Sequence, residues 1–321
     1  MLNVMLDAWS SFAQSPWQLQ SGKEAFGSPP SPDGGKFVSR RFDADGGSLR
    51  YKLFIPSGHP GVPIPLIVML HGGGQDADDF ALGTGMNELA EQHQCFVLYP
   101  QQSSSANWSM CWNWFDESHH HRGQGDPELI AALTRSVIAG YRVDESRVYV
   151  GGLSAGGAMA VILGRTYPDL FAAVGCHSGL AHGSATDGFS AMRAMKDGVD
   201  ARALPRRTLA ASPPVIVFHG DSDCTVHPRN GTSIVEQFLE SERGAVSEKT
   251  GRVGGRAFTR HVHRGHGGRI LAEHWTIKGF GHAWSGGAGR GRYTDPNGPE
   301  ASKEMLRFFL QHRQKKNWGP C

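Results

Sequence analysis

The chain has 321 residues, of which 39% are hydrophobic and 19% are charged, so it is long enough for one large domain or two ordinary ones. Glycine and proline together make up about a fifth of the residues, below the share that marks low-complexity chains, so global disorder is excluded. The formal net charge is only +2, and no face combines basic with aromatic residues, which argues against a nucleic-acid partner.

The longest apolar runs, at 66–70 and 158–163, are far shorter than the roughly 18 residues of a membrane span. Residues 1–20 have no basic residue before their apolar positions and no long apolar core with a cleavage site, so no export signal is predicted. The five cysteines are widely spaced, which suits a reducing compartment but also permits one or two disulfides. We therefore expect a cytoplasmic protein, or a secreted one if the true N-terminus carries a signal that this sequence lacks.

Residues 1–36 are predicted to form an irregular N-terminal segment, because they are rich in Ser, Gly, Pro and Gln. A single domain is expected over 37–321. In chain order the patterns predict strands and helices as follows: strands at 49–55 and 66–70, a helix at 87–94, a strand at 95–99, a helix at 127–141, a strand at 147–150, a helix just after Ser154, strands at 172–176 and 215–218, a helix at 233–240, a strand at 274–277 and a helix at 300–312.

Strands that are apolar almost throughout and alternate with helices are typical of a mostly parallel sheet with helices on both faces. The predicted fold class is therefore α/β, with three layers. Two segments interrupt the alternation, 178–212 and 240–269. We expect both to be excursions above the sheet, where substrate selection usually resides.

The pentapeptide Gly152-Leu153-Ser154-Ala155-Gly156 follows an apolar strand and opens an apolar helical run. This is the setting of a nucleophile elbow, in which a serine lies on a sharp strand-to-helix turn and small neighbours let the backbones approach. The pentapeptide alone is weak evidence, and a glycine-rich phosphate-binding turn remains an alternative. The setting favours Ser154 as a nucleophile.

A second glycine-rich turn, His71-Gly72-Gly73-Gly74, ends the strand predicted at 66–70. In hydrolases with a nucleophile elbow, this loop supplies a backbone N–H group to the oxyanion of the reaction. The N–H groups of Gly73 and Ala155 would together form a two-donor oxyanion hole. The alternative is a tight turn without a catalytic role.

A nucleophilic serine also needs a histidine whose second ring nitrogen is held by a carboxylate. Two carboxylates, Asp221 and Asp223, follow the strand predicted at 215–218, and we choose Asp223. Asp221 lies closer to the strand end and could instead bond local backbone. His282, between turn-forming glycines, is the candidate base, although a solvated loop histidine is the alternative. The chain order Ser, Asp, His is that of the α/β hydrolases.

With these motifs the chain resembles the polyhydroxybutyrate depolymerase family of serine esterases, which is related to feruloyl and acetylxylan esterases. The resemblance covers most of residues 65–312. It rests chiefly on the following segments: L-H-G-G-G-Q at 70–75, C-W-N-W-F at 111–115, R-V-Y-V-G-G-L-S-A-G-G-A-M-A at 147–160, H-G-D-S-D-C-T-V-H-P at 219–228 and G-F-G-H-A-W-S-G-G at 279–287. It implies an α/β-hydrolase fold, hydrolysis of short-chain 3-hydroxyacyl esters, and a catalytic triad of Ser154, Asp223 and His282.

The chain departs from the family pattern at Gly73, where similar members commonly carry a cysteine that can pair with the one in C-W-N-W-F. Cys111 would lack that partner here. Only nine residues follow His312, so a linker and polymer-binding domain, as in secreted members, are not expected. The resemblance therefore favours an intracellular depolymerase or an oligomer esterase. It also suggests that Trp112, Trp114 and Trp284 line the substrate groove, although buried aromatic residues more often belong to the core.

Triad chemistry requires no cofactor, and none is predicted. The histidines at 119–121 and at 261, 263 and 266 invite comparison with metal sites, but loops with spare histidines seldom bind a metal without cysteine or carboxylate partners, so no metal is predicted. The expected partner is a polyester or a small ester, with no nucleic acid and no membrane. Two alternatives remain: a feruloyl or acetylxylan type of carbohydrate esterase, and a non-catalytic protein that binds polymer granules.

Overall fold

The computed structural model describes residues 34–44, 46–58, 61–206, 212–240 and 242–314. The predicted N-terminal segment lies outside the described residues up to residue 33. Within the described ranges the strands are β1 (Lys36–Ala44), β2 (Gly47–Ile55), β3 (Ile64–Leu70), β4 (Phe96–Gln101), β5 (Val143–Leu153), β6 (Ala173–His177), β7 (Val215–Gly220), β8 (Val246–Val253), β9 (Arg256–Arg264), β10 (Ile270–Ile277), β11 (Trp284–Ser285) and β12 (Thr294–Asp295).

The α-helices of the same ranges are α1 (Ala77–Thr84), α2 (Met86–His93), α3 (Gly125–Gly140), α4 (Ala155–Thr166), α5 (Gly188–Asp197), α6 (Arg229–Phe238) and α7 (Ala301–Phe309). Short 3-10 turns lie at Glu117–His120, Ala201–Ala203 and His266–Gly268. Every strand and helix predicted from the sequence has a counterpart here, with ends shifted by a few residues. The sequence patterns did not predict β1, β8, β9, β11, β12, α1 or α5.

Ten strands form one sheet in the order β1-β2-β4-β3-β5-β6-β7-β10-β9-β8. The six central strands, β4-β3-β5-β6-β7-β10 in this spatial order, run parallel to one another. Antiparallel strands flank them on both sides. The strand β3 is buried along its whole length, and its side chains alternate between the cores on the two faces. This confirms the predicted α/β class, because a parallel sheet needs helices on both faces to bury its strands.

The segment 240–269 was expected to rise above the sheet, and this expectation is wrong. It forms the hairpin β8–β9, which extends the sheet at its edge through antiparallel pairing of β9 with β10. The turn between the two strands is Gly254-Gly255, and both residues have positive φ, as a type I′ hairpin turn requires. The glycine pair could have indicated a hairpin turn in the sequence. The two strands were not recognised, because little of this hairpin is buried and its strands carry few apolar residues.

In a parallel sheet the carboxyl ends of neighbouring strands lie at the same edge. The loops that follow β3, β5, β7 and β10 therefore meet at one edge of this sheet. These are the loops that carry the glycine turn, Ser154, the two aspartates and His282. The topology thus explains how residues far apart in the chain converge.

Candidate active site

Ser154 lies between β5 and α4 with φ 55° and ψ −119°, a region that non-glycine residues rarely adopt. Its N–H group donates to the carbonyl of His177 at 2.9 Å, which anchors the turn to β6. A Cβ atom on Gly156 would lie 2.1 Å from the carbonyl oxygen of Leu70, and one on Gly152 would lie 2.5 Å from Gly156. Glycine at both positions is therefore what allows the serine turn to pack against β3.

His282 and Asp223 meet at the carboxyl edge of the sheet. The Nδ1 atom of His282 lies 2.8 Å from Oδ2 of Asp223, whose side chain is fully buried. Because an ionised carboxylate only accepts hydrogen bonds, Nδ1 carries the proton and the Nε2 atom of the neutral ring is left as an acceptor. The other oxygen of Asp223 accepts the N–H groups of Thr225 and Val226 at 2.9 Å each.

Burial by itself would raise the pKa of Asp223. The charges of His282 and His219, and the hydrogen bonds from them, outweigh the burial and hold the pKa of this carboxyl well below its usual value. Asp223 is therefore ionised at neutral pH. It is placed to orient His282 and to stabilise a positive charge on the ring.

Asp221, the alternative carboxylate, has a different set of contacts. Its Oδ1 atom accepts the N–H of Gly279 at 2.7 Å, and its Oδ2 atom pairs with Lys278 at 2.9 Å. Both partners lie in the turn that leads from β10 to His282. Of the two aspartates, the structure brings Asp223 to the histidine, and Asp221 holds the turn that precedes it.

The glycine turn after β3 lies beside Ser154. The N–H of Gly72 donates to the side-chain oxygen of Gln75 at 3.0 Å, and that of Gly74 donates to the carbonyl of Ser109 at 2.9 Å. Among the described residues, the N–H groups of Gly73 and Ala155 have no hydrogen-bond partner. Ala155 is also the first residue of α4, where the helix dipole favours negative charge. The two predicted oxyanion donors are thus both available.

A cavity of about 330 Å³ opens at this point. Its walls come from the glycine turn, the 108–114 loop, the serine turn, the 178–195 segment and the loops after β7 and β10. Within the described residues it is lined by Gly72, Gly73, Gly74, Trp108, Ser109, Met110, Cys111, Trp114, Leu153, Ser154, Ala155, Leu180, Met195, Thr225, Val226, His282 and Tyr293. Ser154 and His282 line the same cavity, and no Asp, Glu, Lys or Arg is among these lining residues.

Of the three tryptophans predicted to line the groove, the structure places one at the cavity. Trp114 lines it, whereas Trp112 and Trp284 are fully buried in the core. The indole N–H of Trp112 donates to the carbonyl of His71, and that of Trp284 donates to Ser302. The prediction that Trp112 and Trp284 line the groove is therefore wrong, because both indoles are buried in the core and donate their N–H groups there.

Several wall residues were missed by the sequence analysis, among them Trp108, Leu180, Met195 and Tyr293. No motif marks them, because each comes from a different irregular loop or from α5. Leu180 and Met195 belong to the 178–212 segment, so the described part of that segment does border the cavity. Trp108 is 67% exposed at the cavity wall, a position that its neighbours in the sequence do not reveal.

Among the described residues, no group of three or more His, Cys, Asp and Glu side chains is arranged to hold a metal ion. No helix in the same ranges is both long and apolar enough to cross a bilayer. The described cysteines are free thiols: Cys95, Cys111, Cys176 and Cys224. A Cβ atom on Gly73 would lie 3.7 Å from both Cβ and Sγ of Cys111, so these two positions are adjacent in the fold.

Comparison with known proteins gives a consistent family. The family model described as "Esterase PHB depolymerase" matches residues 49–260. Poly(3-hydroxyalkanoate) depolymerase C of Paucimonas lemoignei is 36% identical over 251 residues, which cover 75% of this chain and 60% of that protein. Feruloyl esterase B of Neurospora crassa is 29% identical over 259 residues, covering 76% and 82% of the two chains. The chain thus spans about three-fifths of the length of the depolymerase it matches.

Among solved structures, the acetyl xylan esterase from Aspergillus awamori superposes with a TM-score of 0.63. The match covers 86% of this chain and 98% of that one at 19% sequence identity. At this identity the likeness supports the fold alone. Together with the sheet order and the turn at Ser154, it confirms the α/β-hydrolase fold implied by the sequence resemblance.

Proposed function

Because the chain belongs to the esterase family of PHB depolymerases, we propose that it hydrolyses ester bonds through an acyl-enzyme on Ser154. The observation that carries the proposal is the 2.8 Å hydrogen bond between His282 and Asp223 beside a cavity that Ser154 also lines. A serine, a histidine and a buried carboxylate in this relation are the groups that acyl transfer requires.

The reaction begins when Oγ of Ser154 attacks the ester carbonyl carbon while Nε2 of His282 takes the hydroxyl proton. The carbonyl electron pair moves to its oxygen, which accepts hydrogen bonds from the N–H groups of Gly73 and Ala155. The intermediate collapses, the alcohol leaves with the proton from His282, and the acyl group remains on Ser154. Water then attacks the acyl carbon with His282 as base, and the acid is released.

The substrate that we propose is poly(3-hydroxybutyrate) or a short oligomer of 3-hydroxyalkanoates. The cavity walls contributed by Leu180, Met195 and Val226 are aliphatic, and the lining residues include no Asp, Glu, Lys or Arg. A neutral aliphatic acyl unit fits such walls, because an apolar group gains most from burial against apolar side chains. The 36% identity to a poly(3-hydroxyalkanoate) depolymerase supports the same choice.

A carbohydrate esterase of the feruloyl type is the second candidate, and the match to feruloyl esterase B over 82% of that protein favours it. The two candidates differ in the acyl group. Incubation of the purified protein with amorphous poly(3-hydroxybutyrate), with p-nitrophenyl butyrate and with methyl ferulate separates them. We expect release of 3-hydroxybutyrate units and little release of ferulate; the opposite ratio would favour the second candidate.

A protein that only binds polymer granules would have no activated serine. We expect a fluorophosphonate probe to label the protein at Ser154, because only an activated serine reacts readily with it. The Ser154→Ala variant is the control, and it should lose both labelling and ester hydrolysis while it keeps its unfolding temperature. Full hydrolytic activity in this variant would exclude the proposed mechanism.

We also propose that the protein works in a compartment that keeps thiols reduced, such as the cytoplasm. The four described cysteines are free thiols and Cys224 among them is exposed to solvent, which is typical of proteins in a reducing compartment. Rapid alkylation of cells followed by mass spectrometry tests this. Alkylated cysteines are expected, and disulfide-linked peptides would contradict the proposal.

A further inference from the structure

His219 is a buried histidine that the proposed reaction does not use. It lies in β7, is only 1% exposed, and is not among the residues that line the cavity. Its Nε2 atom lies 2.8 Å from the carbonyl oxygen of Val226. Because a carbonyl oxygen only accepts hydrogen bonds, the proton is on Nε2 and His219 is the donor. This contact connects the strand to the turn that carries the aspartate.

Val226, which accepts the hydrogen bond from His219, is also one of the two residues whose N–H groups donate to Asp223. The N–H of Val226 donates to Oδ1 of Asp223 at 2.9 Å, and the carbonyl of Val226 accepts from His219. The same Nε2 atom lies 3.5 Å from Oδ2 of Asp223, the oxygen that bonds His282. The His219 side chain therefore makes two interactions with the 223–226 turn. It donates a hydrogen bond to the backbone carbonyl of Val226, and it lies close enough to the Asp223 carboxylate to interact with its charge.

The other side of the His219 ring is bounded by α6. A Cβ atom on Gly231 would lie 3.0 Å from Nδ1 of His219, so the helix backbone passes directly behind the ring. Among the described residues, that Nδ1 atom has no hydrogen-bond partner. The ring is thus limited by packing on one side and held by hydrogen bonding only at Nε2. Both polar contacts of the ring, made by Nε2, are with Val226 and Asp223 in the 223–226 turn.

We propose that His219 is a positioning residue that holds the Asp223 carboxylate in the orientation that serves His282. The proposal rests on the function proposed above, because it assigns His219 a role through Asp223. Donation to Val226 keeps the 223–226 turn in place, and the turn keeps both oxygens of Asp223 directed. Loss of this donor lets the carboxylate rotate away from His282, which lowers the rate of the chemical step more than it weakens substrate binding in the cavity that Val226 also lines.

Two amide side chains test this, since they differ by one methylene group. In His219→Gln the side-chain amide reaches the position of Nε2 and can still donate to Val226, whereas in His219→Asn it is too short. We expect the Gln variant to keep at least about a third of kcat. We expect the Asn variant to lose kcat about 10- to 100-fold with KM for p-nitrophenyl butyrate within about twofold of the parent. Rates are compared per folded protein, as measured by circular dichroism.

A double-mutant cycle then shows whether His219 acts through Asp223. If it does, adding His219→Asn to Asp223→Asn lowers kcat by less than about twofold, because the Asp223→Asn variant has no carboxylate left for His219 to orient. Equal kcat in the Gln and Asn variants, or a multiplicative loss in the double variant, would overturn the proposal. Ser154→Ala keeps the two questions separate: activity in that variant contradicts the proposed function, whatever His219 does.

Discussion

The imidazole of His71 donates a hydrogen bond from Nδ1 to the carbonyl oxygen of Gly72 at 2.8 Å. The direction follows from the other ring nitrogen, since Nε2 accepts the backbone N–H of Gln102 at 3.1 Å and so cannot carry the proton of the neutral ring. The carbonyl of Gly72 and the N–H of Gly73 belong to one trans peptide plane and point in opposite directions. His71 therefore fixes the direction of the N–H that the proposed oxyanion hole uses.

Replacing His71 tests this relationship. His71→Asn keeps a donor near the position of Nδ1, whereas His71→Leu removes it. We expect the Leu variant to lose kcat about 10- to 100-fold, less than the 10²–10³ loss typical of a missing oxyanion donor, because the peptide is only misdirected. KM should stay within about twofold in steady-state assays with p-nitrophenyl butyrate. The same kcat in the Leu and Asn variants would contradict the role of the hydrogen bond.

The two aspartates after β7 should differ sharply when each is replaced by asparagine. Asp223→Asn should lower kcat by about 10⁴, because the amide no longer selects the ring tautomer of His282 that leaves Nε2 as an acceptor. Asp221→Asn should change kcat only a few-fold, because the amide oxygen can still accept the N–H of Gly279. Initial rates with a soluble ester measure both. A larger loss from the change at 221 would reverse the assignment of the acid.

The adjacency of Gly73 and Cys111 predicts a disulfide that the chain does not now contain. The 3.7 Å from a Cβ atom on Gly73 to Cβ of Cys111 lies within the range that disulfides adopt. Gly73→Cys should therefore form a disulfide under mild oxidation and raise the free energy of unfolding by about 2–4 kcal/mol. Activity should persist, because the backbone N–H at 73 remains.

The paired change Gly73→Cys with Cys111→Ser is the control for this prediction, since it has the new thiol but no partner. Urea unfolding with and without reductant, together with intact mass, measures the effect. Two free thiols in the oxidised Gly73→Cys protein would show that the two positions are not adjacent in solution.

Two fully buried histidines should make the protein less stable in mild acid. Burial lowers the pKa of His71 to about 4 and that of His177 to about 3, against about 6.5 in an unfolded chain. Between these values only the unfolded state binds the proton, so the free energy of unfolding falls as the pH drops below 6.5. Their stabilising contribution is fully present above that pH.

From pH 7.5 to pH 5.0 each of these histidines should cost about 2 kcal/mol of unfolding free energy, as measured by urea titration. The His71→Asn variant is the internal control, since it lacks one of the two titrating groups. Its loss over the same interval should be smaller by about 2 kcal/mol. An equal pH dependence in the parent and the variant would show that His71 is not kept neutral by burial.

Local patterns were enough to predict the α/β class, the turn at Ser154 and the glycine turn after β3. Each of these features lies within a short contiguous stretch, where apolar periodicity and glycine spacing reflect contacts between near neighbours. The His282 loop was also recognisable, because turn-forming glycines surround it. The hairpin β8–β9 was misassigned because its strands are mostly exposed and carry little apolar pattern.

The sequence could only propose which aspartate serves the histidine, which tryptophan faces the cavity, and which residues form its walls. Asp221 and Asp223 are two residues apart, and their different partners depend on how the loop after β10 packs against the loop after β7. Trp112 and Trp114 likewise share one motif, yet Trp112 is buried in the core and Trp114 lines the cavity. Such outcomes follow from side-chain direction and from contacts between segments distant along the chain, which arise only when the sheet brings its loops to one edge.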